Sequence, residues 1–262
     1  MLSYRHAFHA GNHADLLKHL VLVELLHYFR RKEKPFHYID THAGAGLYAL
    51  DQGYATQNAE YVAGIGRLWE QENLPAPLAA FREQIRACNP GPELTRYPGS
   101  PWLAHELLRA TFSSAGKQVK IEGRDGFVGL KGLLPPPTRR ALVLVDPPYE
   151  EKRDYERVVK LLCTAVQRFA AGTYALWYPQ LSRPEAHALP DRLKLLGFSS
   201  WLHVTLTVQT PSSDGFGMHG SGLFIINPPY TLPATLQSVL PTLVELLRQD
   251  AGAGYQLEFF IP

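Results

Sequence analysis

Asp146-Pro147-Pro148-Tyr149 is the stretch of this 262-residue chain whose residue types most narrow its chemistry. It follows Ala141-Leu142-Val143-Leu144-Val145, an apolar run that reads as a buried strand. A residue before proline is pushed towards extended backbone, so the strand cannot roll into a helix at Asp146. Pro147 and Pro148 have no N–H. The strand end therefore offers acceptors, the Asp146 carboxylate and the Pro147 carbonyl. Two acceptors suit a group with two N–H donors, which an aromatic amine is. Drawing on both hydrogens weakens conjugation of the nitrogen lone pair with its ring and exposes that pair to an electrophilic methyl. The expected partner is a base turned out of its stack, with Tyr149 stacking on it. The bland alternative is a proline-rich turn after a buried strand.

A second copy, Asn227-Pro228-Pro229-Tyr230, follows Leu223-Phe224-Ile225-Ile226. Asparagine also accepts a hydrogen bond, so the motif alone does not exclude it. In a doubly wound sheet the site lies beside the first strand and later strands move outward, which favours Asp146 and makes Asn227 a structural turn. A glycine loop supports the same placement. Asp40-Thr41-His42-Ala43-Gly44-Ala45-Gly46-Leu47-Tyr48-Ala49 follows a short strand, and Gly44, Gly46 and Ala49 fit the spacing G-x-G-x-x-A. Such a loop opens a helix and lets backbone pass close to a nucleoside or pyrophosphate. Dinucleotide enzymes use nearly the same loop, so it is a weak signal alone.

The N-terminal run holds His6, His9, His13 and His19, which do not make a dedicated zinc spacing and have no cysteine beside them. No metal is expected. Tyr and His there can stack on bases and Lys18 can meet phosphate.

The elements that must position these residues read as follows. Residues 12–31 form a helix with Asn12 as its cap. A strand at 36–40 precedes the glycine loop. Helices at 59–71 and 77–88 make residues 50–95 a small helical insertion. Strands are expected at 119–122, 141–145, 174–177, 201–208, 223–226 and 257–261, with helices at 126–134, 155–169, 184–196 and 236–248. Apolar strands alternating with amphipathic helices imply a sheet buried on both faces, the doubly wound α/β class.

Composition sets outer limits. Apolar residues make up 45% and charged residues 19%, a globular balance that argues against long disorder. The formal net charge of +2 does not announce a nucleic-acid partner. Residues 1–35 are locally basic, with Arg5, Lys18, Arg30, Arg31, Lys32 and Lys34 against Asp15, Glu24 and Glu33, and could turn a positive face to phosphate. Cys88 and Cys163 are the only cysteines and lie far apart, which fits a reducing cytoplasm. Polar residues recur too often for a membrane span.

The blocks that run from Tyr4-Arg5-His6 through Gly11-Asn12-His13-Ala14-Asp15 and Lys18-His19, with the glycine loop, Tyr97-Pro98-Gly99-Ser100-Pro101, Asp125-Gly126-Phe127, Asp146-Pro147-Pro148-Tyr149, Ala175-Leu176-Trp177-Tyr178-Pro179 and Asn227-Pro228-Pro229, stand in one order along nearly the whole chain. In this the sequence resembles the RlmJ family, the 23S ribosomal RNA adenine-N6 methyltransferases. The resemblance implies a Rossmann-like class I fold and S-adenosylmethionine as cofactor. It implies that His19, His42, Gly44, Ser100, Asp125 and Gly126 line the cofactor site. Asp146 is then the catalytic acceptor, with Pro147 and Tyr149 beside it and Tyr4, His6 and Lys18 near the target nucleotide. The expected partner is 23S ribosomal RNA, and the expected state a cytoplasmic monomer. Some relatives are linked to use of external DNA, which keeps a DNA role open.

The chain departs from that family between Ser100 and Asp125. There the family carries an acidic strand-and-helix segment whose glutamate holds the cofactor ribose hydroxyls. Here Ala110-Thr111-Phe112-Ser113-Ser114-Ala115-Gly116-Lys117 runs almost directly into the next expected strand, and no Glu or Asp lies between Glu106 and Glu122. The rival readings are a DNA adenine or cytosine-N4 methyltransferase, a nicotinamide oxidoreductase built on the glycine loop, and a non-catalytic nucleic-acid-binding protein. The oxidoreductase leaves Asp-Pro-Pro-Tyr unexplained. The binding protein gains from the missing acidic segment.

Overall fold

Asn12 starts the first helix as its sequence suggests. Its side-chain carbonyl accepts from the backbone N–H groups of Ala14 and Asp15, both at 3.0 Å, and α1 runs His13–Arg30. The computed structural model describes residues 6–32, 34–111 and 119–262. α1 is buried almost all round, Leu16, Leu17, Leu20, Val21, Leu25 and Leu26 included. An all-round apolar helix must be covered on every side.

The chain then forms β1 (His37–Asp40), β2 (Leu47–Ala49), α2 (Ala55–Asn58), α3 (Gly66–Trp69), α4 (Ala76–Arg86), β3 (Arg96–Pro98), α5 (Ser100–Thr111) and α6 (Gly126–Leu133). β4 (Ala141–Val145), α7 (Arg153–Arg168), β5 (Thr173–Leu181), α8 (Pro184–Lys194), β6 (Trp201–Thr207), β7 (Met218–Ile226), α9 (Leu232–Leu247) and β8 (Gly254–Phe260) follow. Six strands make the main sheet in the order β1-β4-β5-β7-β6-β8. β4 lies parallel to both β1 and β5, whereas β5–β7, β7–β6 and β6–β8 are antiparallel. α1 packs on β4, β5 and β7 and against α4, α5 and α9. α6, α7 and α8 form a second helical layer, with α8 on β5. β4 is buried at every position, as a strand covered on both faces must be.

Three expectations are corrected. The glycine loop does not open a helix: it leads into β2, which pairs antiparallel with β3 through Leu47↔Pro98 and Ala49↔Arg96. The helix expected at 59–71 is broken into a 3-10 turn at Glu60–Val62 and the short α3, whereas the one expected at 77–88 stands as α4; both lie between the strands of that small ribbon. Residues 119–122 form no strand, and Ile121 is 93% exposed. A strand there needs a neighbour, yet among the described residues β1 pairs only with β4 and stands at the sheet edge. No helix among the described residues is long and apolar enough to cross a membrane.

Candidate active site

The carboxyl ends of β1 and β4 lie side by side, with Asp40 in register with Leu144 and the Thr41 N–H donating to the Leu144 carbonyl at 3.0 Å. That register brings the loop after Asp40 and the corner after Val145 to one crevice, the usual ligand position in open α/β sheets. Two lobes open there, of about 840 and about 480 Å³, and share His42, Ala43 and Pro148.

Asp40, Glu122, Asp125, Phe127 and Arg157 line the larger lobe. Asp40 is tied down: it accepts from the Ser100 hydroxyl at 2.6 Å, the Tyr38 hydroxyl at 3.2 Å and the His42 N–H at 3.2 Å. Burial pushes its carboxyl above the usual value, opposed by the Ser100 bond and reinforced by the Asp146 charge. Asp125 caps α6, accepting from the Phe127 N–H at 2.8 Å, and also receives Arg157 at 2.6 Å. The Arg157 guanidinium lies 3.8 Å from the Phe127 ring centroid, and His42 meets that ring edge-on at 4.8 Å. A Cβ on Gly126 would sit 1.9 Å from the Thr41 carbonyl, so only glycine lets α6 approach the loop after β1. Gly44 serves a similar end: its Cβ would meet the Tyr48 hydroxyl at 2.4 Å. Both glycines thus permit close packing of protein on protein, and each also lines a lobe.

The smaller lobe gathers His6, Lys18, His19, Tyr48, Tyr54, Ser100 and Asp146. His19 shares a hydrogen bond with the Tyr97 hydroxyl at 2.9 Å, and burial lowers its pKa to about 3. Lys18 Nζ stands between two carboxylates, 2.8 Å from Asp15 Oδ1 and 2.8 Å from Asp146 Oδ2, and 5.6 Å from the Trp177 ring centroid. Burial works against its charge, but Asp146 and Asp15 outweigh that and raise its pKa. His6 Nε2 lies 3.1 Å from Asp15 Oδ2.

Against the sequence reading, Asp146, His6, Lys18, His19, His42, Gly44 and Ser100 meet in one lobe, and Asp125 and Gly126 in the adjoining one. Two expectations change. Lys18 is 3% exposed and held by two carboxylates, so it stands beside Asp146 and leaves surface phosphate to other groups. Tyr149 does not present its ring to a base. Its backbone takes φ 52°, and the side chain folds under β5, where its hydroxyl donates to the Trp177 carbonyl at 2.9 Å and it is 2% exposed. Pro147 is buried, and Pro148 lines both lobes. Tyr4 lies outside the described residues. No group of three or more His, Cys, Asp or Glu among the described residues is arranged to hold a metal ion.

Sequence reading missed Asp15, Tyr48, Tyr54 and Arg157. Asp15 carried a signal, since it precedes Lys18 by three residues on one helix face. Tyr48 comes from β2, Tyr54 from the turn before α2 and Arg157 from α7, and no local spacing marks them.

Comparison with known proteins bears on this crevice. The family model described as "Ribosomal RNA large subunit methyltransferase D, RlmJ" matches residues 33–116 and 105–261. Two proteins named "Ribosomal RNA large subunit methyltransferase J" are similar. That of Haemophilus influenzae is 42% identical over 282 aligned residues, with 100% of both chains covered. That of Escherichia coli is 42% identical over 273, with 97% of each covered. A crystal structure of a Legionella pneumophila protein superposes with a TM-score of 0.85 at 32% identity, over 95% of this chain and 98% of that one. The family match divides between residues 105 and 116, and the Haemophilus alignment spans 282 positions against 262 residues here. The chain belongs to this family of ribosomal RNA large subunit methyltransferases, RlmJ.

Proposed function

We propose that this protein methylates the N6 amine of one adenine in 23S ribosomal RNA, with S-adenosylmethionine as methyl donor. The observation that carries the reading is the Asp146 carboxylate, placed at the end of β4 in the lobe that adjoins the nucleoside-sized cleft. Family membership supports the reaction class.

The residues present fit the cofactor. The larger lobe has the size of a small-molecule site. Its donor set suits a nucleoside, with carboxylates at Asp40 and Asp125 and an aromatic wall at Phe127. His19, His42, Gly44, Ser100, Asp125 and Gly126 would hold it across the two lobes, and Glu122 stands in the larger lobe, paired with Lys120 and Arg124. When bound, the group supplies an electrophilic methyl on a sulfonium.

The chain's own part is positioning and electrostatics. Asp146 accepts one amine hydrogen and the Pro147 carbonyl the other, which turns the nitrogen lone pair towards the cleft. Asp146 takes the proton late, because that proton becomes acidic only as the new N–C bond forms. With Tyr149 buried, stacking on the flipped base falls to the exposed aromatics of the smaller lobe, of which Tyr54 is 40% exposed. No covalent intermediate with the protein is needed.

The test is transfer of tritium from labelled S-adenosylmethionine to unmodified 23S RNA and to duplex DNA, by the wild type and by Asp146→Ala. Label in N6-methyladenosine of RNA from the wild type alone is expected. Full activity of Asp146→Ala would sink the assignment, and preference for DNA would replace the substrate.

A further inference from the structure

Asp15 is buried in the first turn of α1 at 2% exposure, yet two of its three partners, Lys18 and His6, line the smaller lobe. Oδ1 takes Lys18 Nζ at 2.8 Å. Oδ2 accepts from the Gly11 N–H at 3.0 Å and meets His6 Nε2 at 3.1 Å. Lys18 Nζ reaches Asp146 Oδ2 at 2.8 Å with another of its hydrogens. One ammonium is therefore shared between two carboxylates, and only Asp146 faces the cleft.

Charge balance gives the arrangement a purpose. A lone Lys18–Asp146 pair would be neutral, with the carboxylate fully engaged by the ammonium. Asp15, Lys18 and Asp146 together carry one net negative charge, which a poorly solvated crevice makes strongly felt. That charge is needed when the amine nitrogen turns positive as its new bond forms. Stability alone explains the trio badly, because buried ionic clusters rarely outperform well-packed apolar side chains.

We propose that Asp15 is a positioning residue for methyl transfer: it draws on the Lys18 ammonium so that Asp146 keeps its acceptor strength for the amine, and it holds His6 in the same lobe. The inference rests on the reading of Asp146 as the amine acceptor. Burial opposes charge on Asp15, but the groups bonded to it outweigh that and hold its carboxyl well below the usual range, in keeping with an anion.

The experiment compares kcat and the KM for RNA and for S-adenosylmethionine in Asp15→Asn, Lys18→Met, the double variant and Asp146→Ala, with a thermal melt of each. Asp15→Asn is expected to lose roughly 10²-fold in kcat with both KM values little changed, the order of loss seen when one electrostatic group is removed from a reacting centre. The double variant is expected to recover activity over Asp15→Asn, because Asp146 is then released from an uncompensated ammonium. A merely structural Asp15 predicts a double variant no better than the worse single one. An unchanged kcat in Asp15→Asn, or no recovery in the double variant, overturns the inference. If Asp15→Asn does not fold, Lys18→Met decides: retained transfer supports sharing, and a loss as complete as that of Asp146→Ala overturns it. An active Asp146→Ala strikes the functional reading itself, whereas an inactive Asp146→Ala beside a fully active Asp15→Asn strikes this inference alone.

Discussion

Two corners of the molecule carry nearly the same four residues, Asp146-Pro147-Pro148-Tyr149 after β4 and Asn227-Pro228-Pro229-Tyr230 after β7, and they do opposite things. β4 runs parallel to β1, so its corner opens beside the loop after Asp40. β7 runs antiparallel to β5, with Ile226 opposite Tyr174 at the start of that strand, so its corner lies at the other end of the sheet. There the Asn227 side-chain amide donates to the carbonyls of Ala170 and Gly172, both at 2.7 Å, and the Asn227 backbone carbonyl receives the Thr173 hydroxyl at 2.9 Å. Its donors are spent on backbone. Asp146 faces Lys18 and an open lobe. The left-handed residue differs too: Tyr149 at φ 52° ends the first motif, and Asn227 at φ 53° begins the second. Tyr149 is consequently buried, whereas Tyr230 is 71% exposed, edge-on to Tyr28. Strand direction, more than the motif, assigns the role.

The strongest way to break this contrast is to remove each first residue in turn. Asp146→Ala should reduce methyl transfer by about 10³-fold or more, since it deletes the acceptor and strands a buried ammonium. Asn227→Ala should leave kcat and both KM values within about twofold, and an activity loss matching that of Asp146→Ala would undo the assignment.

Acid should come next. Burial lowers His19 to about 3 and His13 to about 4 from the ordinary 6.5. The unfolded chain takes up these protons near pH 6.5, and the folded chain does not until much lower. Stability is therefore full above about pH 6.5 and falls as the pH drops towards 4, by up to about 1.4 kcal/mol per pH unit for each histidine. Melting curves across that range check it, and replacing both histidines by asparagine should flatten the slope. The amide-to-backbone bonds of Asn227 contribute no such dependence.

Asn227→Ala should cost about 1–3 kcal/mol in denaturant unfolding, because two backbone carbonyls lose their donor and alanine is strained at positive φ. Tyr149→Phe should cost about 1 kcal/mol through the lost bond to the Trp177 carbonyl, with little change in rate.

Local chemistry made much of this readable in advance. The cap at Asn12, the all-apolar β4 and the acceptor-only corner at Asp146 depend on neighbours in the chain, and each lies where its spacing put it. The glycine loop misled because its spacing is satisfied equally by a helix start and by a turn into β2, and partner β3 lies about fifty residues away. The strand expected at 119–122 failed for the converse reason: its residues suit extended backbone, but no strand among the described residues bonds them.

Side-chain type, capping and proline geometry act over a few residues, so the sequence determines which strand ends can accept an amine's hydrogens, and it names two of them. Which one faces a cleft follows from the direction of β7 against β5, a pairing set by packing between distant segments. The same holds for Lys18, whose charge looks like a surface phosphate contact until α1 is buried and Asp15 and Asp146 close on it from residues 3 and 128 positions away. Long-range burial converts a basic residue into one member of a charge-sharing trio, because an ammonium removed from water must find its carboxylates wherever the fold brings them.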